Sequence, residues 1–123
     1  MNAVFDSDFL IDLLAGVEAA RDVPEGYDRR FISIVSFVEV LTGADTDDED
    51  AAARAILDGF ELVPVSLPVA ERAVALRRAR KRLRTPDAMI WATALTIPDC
   101  VLVTRNNHDF PEADPSVHIP YRL

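Results

Sequence analysis

The sequence predicts an α/β protein with a central five-stranded parallel sheet flanked by helices. Short apolar runs rich in Val, Ile and Phe alternate with stretches of helical periodicity along the whole chain. This alternation is typical of βαβ units, in which parallel strands are joined by helices that cover both faces of the sheet. At 123 residues, the chain is expected to form a single domain, residues 1–123, that buries roughly two thirds of its unfolded surface.

The first elements alternate strand and helix. Asn2–Phe5 is predicted to be a strand, and Ser7–Ala15 a helix that is capped by its serine and ends before Gly16. The polar stretch around residues 24–26 has little periodicity and fits either a short helix or a loop. Phe31–Ile34 has the β-branched and aromatic residues of a second, buried strand.

The middle of the chain is predicted to hold two helices and a strand. One helix runs from Ser36 to near Gly43, a glycine in the expected position after a helix. An alanine-rich helix follows at Asp50–Leu57, behind a run of acidic residues interpreted as a solvated loop. Glu61–Val65 is the third strand, which Pro64 shortens because proline lacks the N–H needed by the ladder.

The last third contains the longest predicted helix, Leu67–Leu83, with its small and aliphatic residues inward and most of its arginines outward. A further helix is predicted at Pro86–Leu95, where Thr85 is the expected cap and the proline occupies the first turn. The fourth and fifth strands are predicted at Val101–Thr104 and Val117–Tyr121. The alternation of strands and helices is thus maintained to the end of the chain.

The composition is that of a globular protein, with 50% hydrophobic and 28% charged residues. No apolar run approaches the ~20 residues that span a bilayer, and no export signal is recognisable, so a cytoplasmic location without a membrane partner is expected. The net charge of −8 is unusual for a protein that binds nucleic acid. However, 7 of the 13 basic residues fall between Arg72 and Arg84, which predicts a basic helix on an otherwise acidic protein.

Three carboxylates are predicted to meet at one edge of the sheet. Asp6 directly follows the first strand, Glu39 follows the second, and Asp87 lies in the first turn of the helix after Pro86. In an open parallel sheet, the carboxyl ends of the strands and the first turns of the following helices form the edge at which ligands bind. Residues that are far apart in sequence are therefore expected to become neighbours there.

Each of these acidic residues also has a purely structural interpretation. Asp6 fits a helix cap, and Ser36 and Glu39 have the spacing of a capping box, in which the glutamate bonds back to the cap residue. Asp8 lies in a first helical turn, where the helix dipole favours negative charge. Asn106 and Asp109 fit an ordinary polar turn after the fourth strand. None of these interpretations explains why several carboxylates should share one edge.

Clustered carboxylates without a nearby catalytic Ser, Cys or His indicate a metal site. Neighbouring carboxylates repel one another, and a hard divalent cation such as Mg²⁺ or Mn²⁺ relieves that repulsion through oxygen ligands. Metal sites of this type activate water for attack on a phosphodiester. The predicted reaction is metal-dependent phosphodiester hydrolysis, with the basic helix contacting the nucleic-acid backbone.

Four segments in order resemble the PIN-domain ribonucleases, and in particular the VapC-type toxins of toxin–antitoxin pairs. They are Phe5-Asp6-Ser7-Asp8-Phe9-Leu10-Ile11-Asp12, Ile34-Val35-Ser36-Phe37-Val38-Glu39-Val40-Leu41-x-Gly43, Pro86-Asp87-Ala88-Met89-Ile90-Trp91-Ala92-Thr93-Ala94 and Leu102-Val103-Thr104-Arg105-Asn106-x-x-Asp109-Phe110. The resemblance spans nearly the whole chain. It implies a three-layer PIN-like fold with a five-stranded parallel sheet.

The resemblance also implies the site residues and partners. The Mg²⁺ or Mn²⁺ ligands and catalytic residues would be Asp6, Glu39, Asp87 and Asp109. Residues expected to hold these ligands in place are Asp8, Ser7, Thr104 and Asn106. Those expected to contact RNA are Arg77, Arg78, Lys81, Arg84 and Arg105. The implied activity is endoribonuclease cleavage by a homodimer whose acidic groove is blocked by a cognate small antitoxin protein.

Two features leave alternatives open. Many relatives carry aspartate at the position of Asn106, so the fourth acidic contact comes from Asp109 or is missing. A PIN-like scaffold that binds RNA or protein without cleaving is the second hypothesis, which loss of a core acid would favour. An acidic receiver domain would need a lysine after its last strands, and the only lysine is Lys81, inside the basic stretch.

Overall fold

The computed structural model describes residues 1–123 and contains one five-stranded parallel sheet. The strands are β1 (Asn2–Phe5), β2 (Arg30–Ser33), β3 (Glu61–Val63), β4 (Cys100–Val103) and β5 (Val117–His118). Their order across the sheet is β3-β2-β1-β4-β5, and each pair of neighbours is parallel. The predicted parallel α/β sheet is therefore confirmed.

Six α-helices connect the strands. They are α1 (Ser7–Leu14), α2 (Glu18–Arg21), α3 (Ile34–Thr42), α4 (Asp47–Leu57), α5 (Leu67–Ala79) and α6 (Thr85–Thr96). A 3-10 turn lies at Pro24–Gly26. No helix has both the length and the apolar character needed to cross a membrane.

Alternate side chains of each strand enter two separate cores, which gives the three layers. On β1, Val4 packs on one face with residues of α5 and α6. Ala3 and Phe5 point to the opposite face, where they pack with residues of α1, α3 and α4. All three side chains are fully buried. The sheet is thus covered on both sides, as the apolar runs of β1 and β4 predict.

The strand order places a crevice beside β1. The chain steps from β1 to β2 to β3 in one direction and then crosses to the other side of β1 to form β4 and β5. The register pairs Phe5 with Val103, so the carboxyl ends of β1 and β4 lie side by side. A reversal of this kind is the point at which an open α/β sheet binds its ligands.

Two predicted helix starts are wrong, and capping chemistry explains both. α3 begins at Ile34 and not at Ser36, because the Ser33 hydroxyl caps it by accepting a 3.0 Å hydrogen bond from the N–H of Val35. α4 begins at Asp47, since Thr46 and Glu49 form a reciprocal capping box. The acidic run therefore forms the first turn of α4, where the dipole favours it.

The predicted basic helix is also too long. α5 ends at Ala79, and the chain then turns so that Leu83 enters the core, where only 5% of it is exposed. The guanidinium of Arg77 secures this turn, donating from Nε to the carbonyl of Leu83 (2.8 Å). The fifth strand is likewise shorter than predicted and ends at His118, two residues before Pro120.

Candidate active site

Asp6 lies at the carboxyl end of β1 in the N-cap position of α1. Its side chain makes no capping hydrogen bond, and Oδ2 instead accepts a 2.8 Å hydrogen bond from the hydroxyl of Thr104 at the end of β4. Asp6 is 3% exposed and Thr104 is fully buried. Capping therefore does not account for Asp6, whose carboxylate is held by the neighbouring strand.

Glu39 is the sixth residue of α3, too far into the helix for the capping box that Ser36 would have formed. Its Oε1 accepts a 2.7 Å hydrogen bond from the hydroxyl of Ser7, the first residue of α1. The Ser7 oxygen also lies 3.0 Å from that of Ser36. The Glu39 carboxylate is therefore bound by the first residue of α1, and it does not cap its own helix, α3.

Asp87 is the third residue of α6 and is only 7% exposed. Its Oδ2 is buried and accepts no hydrogen bond, and the Nε of Arg84 lies 3.7 Å away. Arg84, and not the predicted Thr85, occupies the cap position of this helix. A buried acceptor without a donor is costly, so Asp87 is the side chain at this edge that most needs a cation.

The loop after β4 orients Asp109. The side-chain oxygen of Asn106 accepts from the N–H groups of His108 (3.2 Å) and Asp109 (3.1 Å), and its amide nitrogen donates to Oδ2 of Asp109 (2.8 Å). The backbone N–H of Asn106 in turn donates to Thr104 (3.0 Å). Asn106 thus holds the loop and the carboxylate, while Asp109 supplies the negative charge.

The acidic side chains lie within electrostatic range of one another. Burial raises the pKa of Asp6 from 3.8 to about 7, the hydrogen bond from Thr104 opposes this rise, and the charges of Asp8 and Asp87 add to it. Burial also raises the pKa of Asp87, Arg84 lowers it, and three further carboxylates raise it again, namely Asp109, Glu39 and Asp8. Five carboxylates thus contribute to a single negative field.

No three His, Cys, Asp or Glu side chains are already arranged to hold a metal ion. The hydrogen bonds explain this, since Asp6, Glu39 and Asp109 each engage an oxygen with a neighbouring hydroxyl or amide. Such contacts are favourable for carboxylates whose mutual repulsion is not neutralised. The donor set and the unpartnered oxygen of Asp87 fit a hard cation, which prefers oxygen ligands.

Comparison with known proteins identifies the family. The family model for the PIN domain matches residues 3–114. The chain belongs to the PIN domain family. No curated protein sequence matches it.

Solved structures support this assignment. A chain of a toxin–antitoxin complex from Klebsiella pneumoniae is 38% identical, with a TM-score of 0.87 and coverage of 98% of this chain and 99% of that one. A chain of VapBC-5 from Mycobacterium tuberculosis, a member of the VapBC family of toxin–antitoxin systems, is 26% identical (TM-score 0.67, coverage 99% and 98%). DNA-bound VapBC from Salmonella typhimurium shares the fold at 23% identity (TM-score 0.74, coverage 96% of each chain). The predicted resemblance to VapC-type PIN proteins is therefore confirmed.

The basic residues of this PIN domain differ in what they contact. Arg77 is engaged, because it donates to Leu83 and, from a terminal nitrogen, to the hydroxyl of Thr85 (2.9 Å). Arg78 and Lys81 are exposed, form no ion pair, and line a cavity of about 490 Å³ between α5 and α6. Arg77 therefore has a structural role, whereas Arg78 and Lys81 remain free to bind an anion.

Sequence reasoning missed one polar cluster beside the site. Asp12, in the middle of α1, is only 5% exposed and accepts hydrogen bonds from Arg105 Nε (2.6 Å) and the Tyr121 hydroxyl (2.7 Å). The available signal was an aspartate between Ile11 and Leu13, in an otherwise apolar helix. A buried acid in such a position requires partners, and here they come from the end of β4 and from the C-terminal tail.

The raised pKa of Asp6 gives a testable pH dependence. Because the folded protein holds a proton that the unfolded chain releases above pH 3.8, stability without divalent metal should fall as pH rises from about 4 to 7. Asp87 contributes in the same direction. With about 1.4 kcal/mol for each pKa unit, the loss amounts to a few kcal/mol. We expect the Tm in EDTA to drop by several degrees between pH 5 and 7.5.

Asp6→Asn should remove most of this slope. Glu61→Gln is the matched control, because the ion pair with Arg29 lowers the pKa of Glu61 and its stabilisation is already complete at pH 5. A parent-like slope in Asp6→Asn would show that the titrating group lies elsewhere.

Proposed function

We propose that this PIN domain is a Mg²⁺- or Mn²⁺-dependent endoribonuclease and the toxin of a toxin–antitoxin pair. The observation that carries the proposal is the convergence of Asp6, Glu39 and Asp87 at the strand-order reversal beside β1. These residues come from three segments far apart in sequence, and one of them has a buried oxygen without a donor. Burying carboxylates close together is costly unless a cationic ligand neutralises their charge.

The acidic residues would be the ligands of the metal ion. Asp6, fixed by Thr104, and Asp87, with its free oxygen, are the central ligands. Glu39, which Ser7 holds, and Asp109, which Asn106 holds, would complete the acidic set. When bound, Mg²⁺ or Mn²⁺ supplies Lewis-acid stabilisation of the charge that develops on the attacking and leaving oxygens of the phosphodiester.

The surrounding residues orient these ligands and the substrate. Ser7 holds Glu39, and Asn106 holds Asp109. Asp8 strengthens the negative field that attracts the cation. RNA phosphates bind at exposed cations near the start of α6, namely Arg78, Lys81 and Arg84.

A cognate antitoxin is the proposed protein partner, on the basis of the toxin–antitoxin complexes among the similar structures. A groove of about 460 Å³ between α1, α3 and α4 is suited to it. The groove is mainly apolar, includes the half-exposed Ile11, and reaches Glu39 of the acidic cluster. A segment with apolar side chains followed by a cation would fill the groove and block the carboxylates. The toxin is proposed to act as a homodimer.

A non-cleaving scaffold that binds RNA or protein is the second candidate. The observation that favours it is that no three side chains form a ready metal site. Against it stands the presence of all three core acids, two of which, Asp6 and Asp87, are buried, although a scaffold has no need to bury them.

Cleavage of a labelled structured RNA by the purified chain tests the two candidates. We expect fragments in millimolar Mn²⁺ or Mg²⁺ and none in EDTA. The carboxylates alone cannot stabilise the negative charge that develops on the phosphodiester oxygens during cleavage. A gel-shift measurement on the same RNA accompanies the cleavage assay. Retardation of intact RNA with no cleavage in either metal would support the scaffold and refute the nuclease.

A further inference from the structure

Arg105 is held at one nitrogen only. It directly follows Thr104, the residue that fixes Asp6, and its Nε donates to Oδ2 of Asp12 over 2.6 Å. The hydroxyl of Tyr121 donates to the same carboxylate oxygen over 2.7 Å. The Asp12 side chain is 7% exposed, so the arginine is anchored on a nearly buried acid.

The rest of the guanidinium is available. The two terminal nitrogens of Arg105 form no hydrogen bond or ion pair with the chain, and 35% of its side chain is exposed. Arg105 also lies within electrostatic range of Asp8, a member of the acidic cluster. A fixed cation with four free N–H donors therefore lies at the rim of the candidate active site.

This geometry differs from that of a purely structural ion pair. Arginine and carboxylate commonly pair through two parallel hydrogen bonds, which use both sides of the fork. Here the arginine and Tyr121 both donate to one carboxylate oxygen, Oδ2 of Asp12, and the terminal nitrogens of the arginine make no bond to the other oxygen. The edge that these nitrogens form matches the non-bridging oxygens of a phosphate group.

The other cations near the site are less well placed. Arg77 donates to Leu83 and Thr85, which engages its Nε and one terminal nitrogen. Arg84 is 72% exposed on its side chain, and its Nε lies 3.7 Å from the buried Asp87, too far for a hydrogen bond to hold it in place. Arg105 alone among these three combines a fixed position with two free terminal nitrogens.

We propose that Arg105 is a catalytic residue that binds the phosphate group of the RNA strand beside the carboxylates, and that Asp12 and Tyr121 are its positioning residues. The inference rests on the proposed nuclease function and names the group that neutralises the substrate's own charge there. Asp12 restrains the arginine from behind, so that no ordering of a flexible side chain is needed when RNA binds.

Four variants test the proposal: Arg105→Lys, the double variant Arg105→Ala with Asp12→Ala, Tyr121→Phe, and Asp87→Asn. The double variant leaves no buried charge unpaired, which protects the fold. It should lower kcat/KM by about 100-fold, the usual effect of removing a donor to developing charge. Arg105→Lys should lose about 10-fold or more, because an ammonium lacks the fork that reaches both Asp12 and phosphate.

Two further measurements separate positioning from a general structural effect. Tyr121→Phe should lower kcat/KM, mainly through KM, while the rise in Tm on adding Mn²⁺ stays that of the parent, since no metal ligand is altered. Labelled RNA should bind more weakly to Asp87→Asn carrying Arg105→Lys than to Asp87→Asn alone.

Arg29→Ala is the matched control, because Arg29 is ion-paired with Glu61 ahead of β2, at the opposite edge of the sheet. It should cleave RNA as the parent does.

Parent-like kcat/KM in either Arg105→Lys or the double variant, with Asp87→Asn inactive, would overturn the role of Arg105 and leave the nuclease intact. An Asp87→Asn protein as active as the parent would instead refute the nuclease itself.

Discussion

Asp87→Asn is expected to reduce Mn²⁺-dependent RNA cleavage by about 100-fold or more without loss of the fold. The substitution keeps the size of the side chain but replaces one oxygen by an amide nitrogen, which repels a cation. Because the Asp87 carboxylate is buried and one oxygen lacks a donor, removing its charge should leave the Tm unchanged or raise it. Cleavage of labelled RNA and thermal unfolding, measured on the same preparation, check both parts.

Asp48→Asn is the matched control for this experiment. Asp48 also lies in the first turn of a helix, α4, but it is exposed and forms no hydrogen bond or ion pair with the carboxylate cluster. Its replacement makes the same chemical change and should leave cleavage at the parent rate. An Asp87→Asn protein that cleaves as fast as Asp48→Asn would rule out the assigned site.

Millimolar Mn²⁺ or Mg²⁺ is expected to raise the Tm of the parent by about 5 to 10 °C, and Asp6→Asn should abolish most of that rise. A ligand at about 100 times its dissociation constant stabilises the folded state by about 2.7 kcal/mol, and each kcal/mol shifts the Tm of a domain of this size by a few degrees. Since the pKa of Asp6 is raised to about 7, protons compete with the metal. The rise should therefore be larger at pH 8 than at pH 5.5.

The strongly acidic protein also requires a test for non-specific cation effects. With a net charge of −8, any divalent ion relieves general repulsion to some degree. At pH 8, where Asp6 is mostly ionised, Asp48→Asn and Asp6→Asn remove nearly the same charge, yet Asp48→Asn should keep the full rise in Tm. Equal rises in Asp6→Asn and Asp48→Asn would mean that the metal acts on the surface as a whole.

The fold was predictable because each of its strands carries a local signal. Strands buried on both faces appear as continuous apolar runs, and β1 and β4 illustrate this with three fully or nearly fully buried residues each. Once the sheet is parallel, the positions of Asp6 and Asp87 follow from connectivity. The fold class was therefore predictable from strands such as β1 and β4, whereas the order of the strands in the sheet was known only from the structure.

The parts that could not be predicted depend on partners far away in sequence. Asp12 finds Arg105 and Tyr121 at separations of 93 and 109 residues, and no local pattern links them. For Asp6 and Glu39, the sequence alone could not distinguish a helix-capping role from a role in a site. The structure shows that their hydrogen-bond partners are Thr104 and Ser7. The hydrogen bond from Arg77 to the carbonyl of Leu83 was also unpredictable, because it depends on where α5 ends, and the predicted contact of Arg77 with RNA stays a prediction.

The position of β4 in the sequence has a consequence during synthesis of the protein. Of the strands in this sheet, β1 is synthesised first and lies in the middle with β4 on one side, and β4 begins only at Cys100. Thr104 and Asp109 follow it, so an unfinished chain on the ribosome has neither the hydroxyl that restrains Asp6 nor the last carboxylate. Under the proposed nuclease function, a polypeptide released before Thr104 and Asp109 are synthesised would lack part of the site that cleaves RNA.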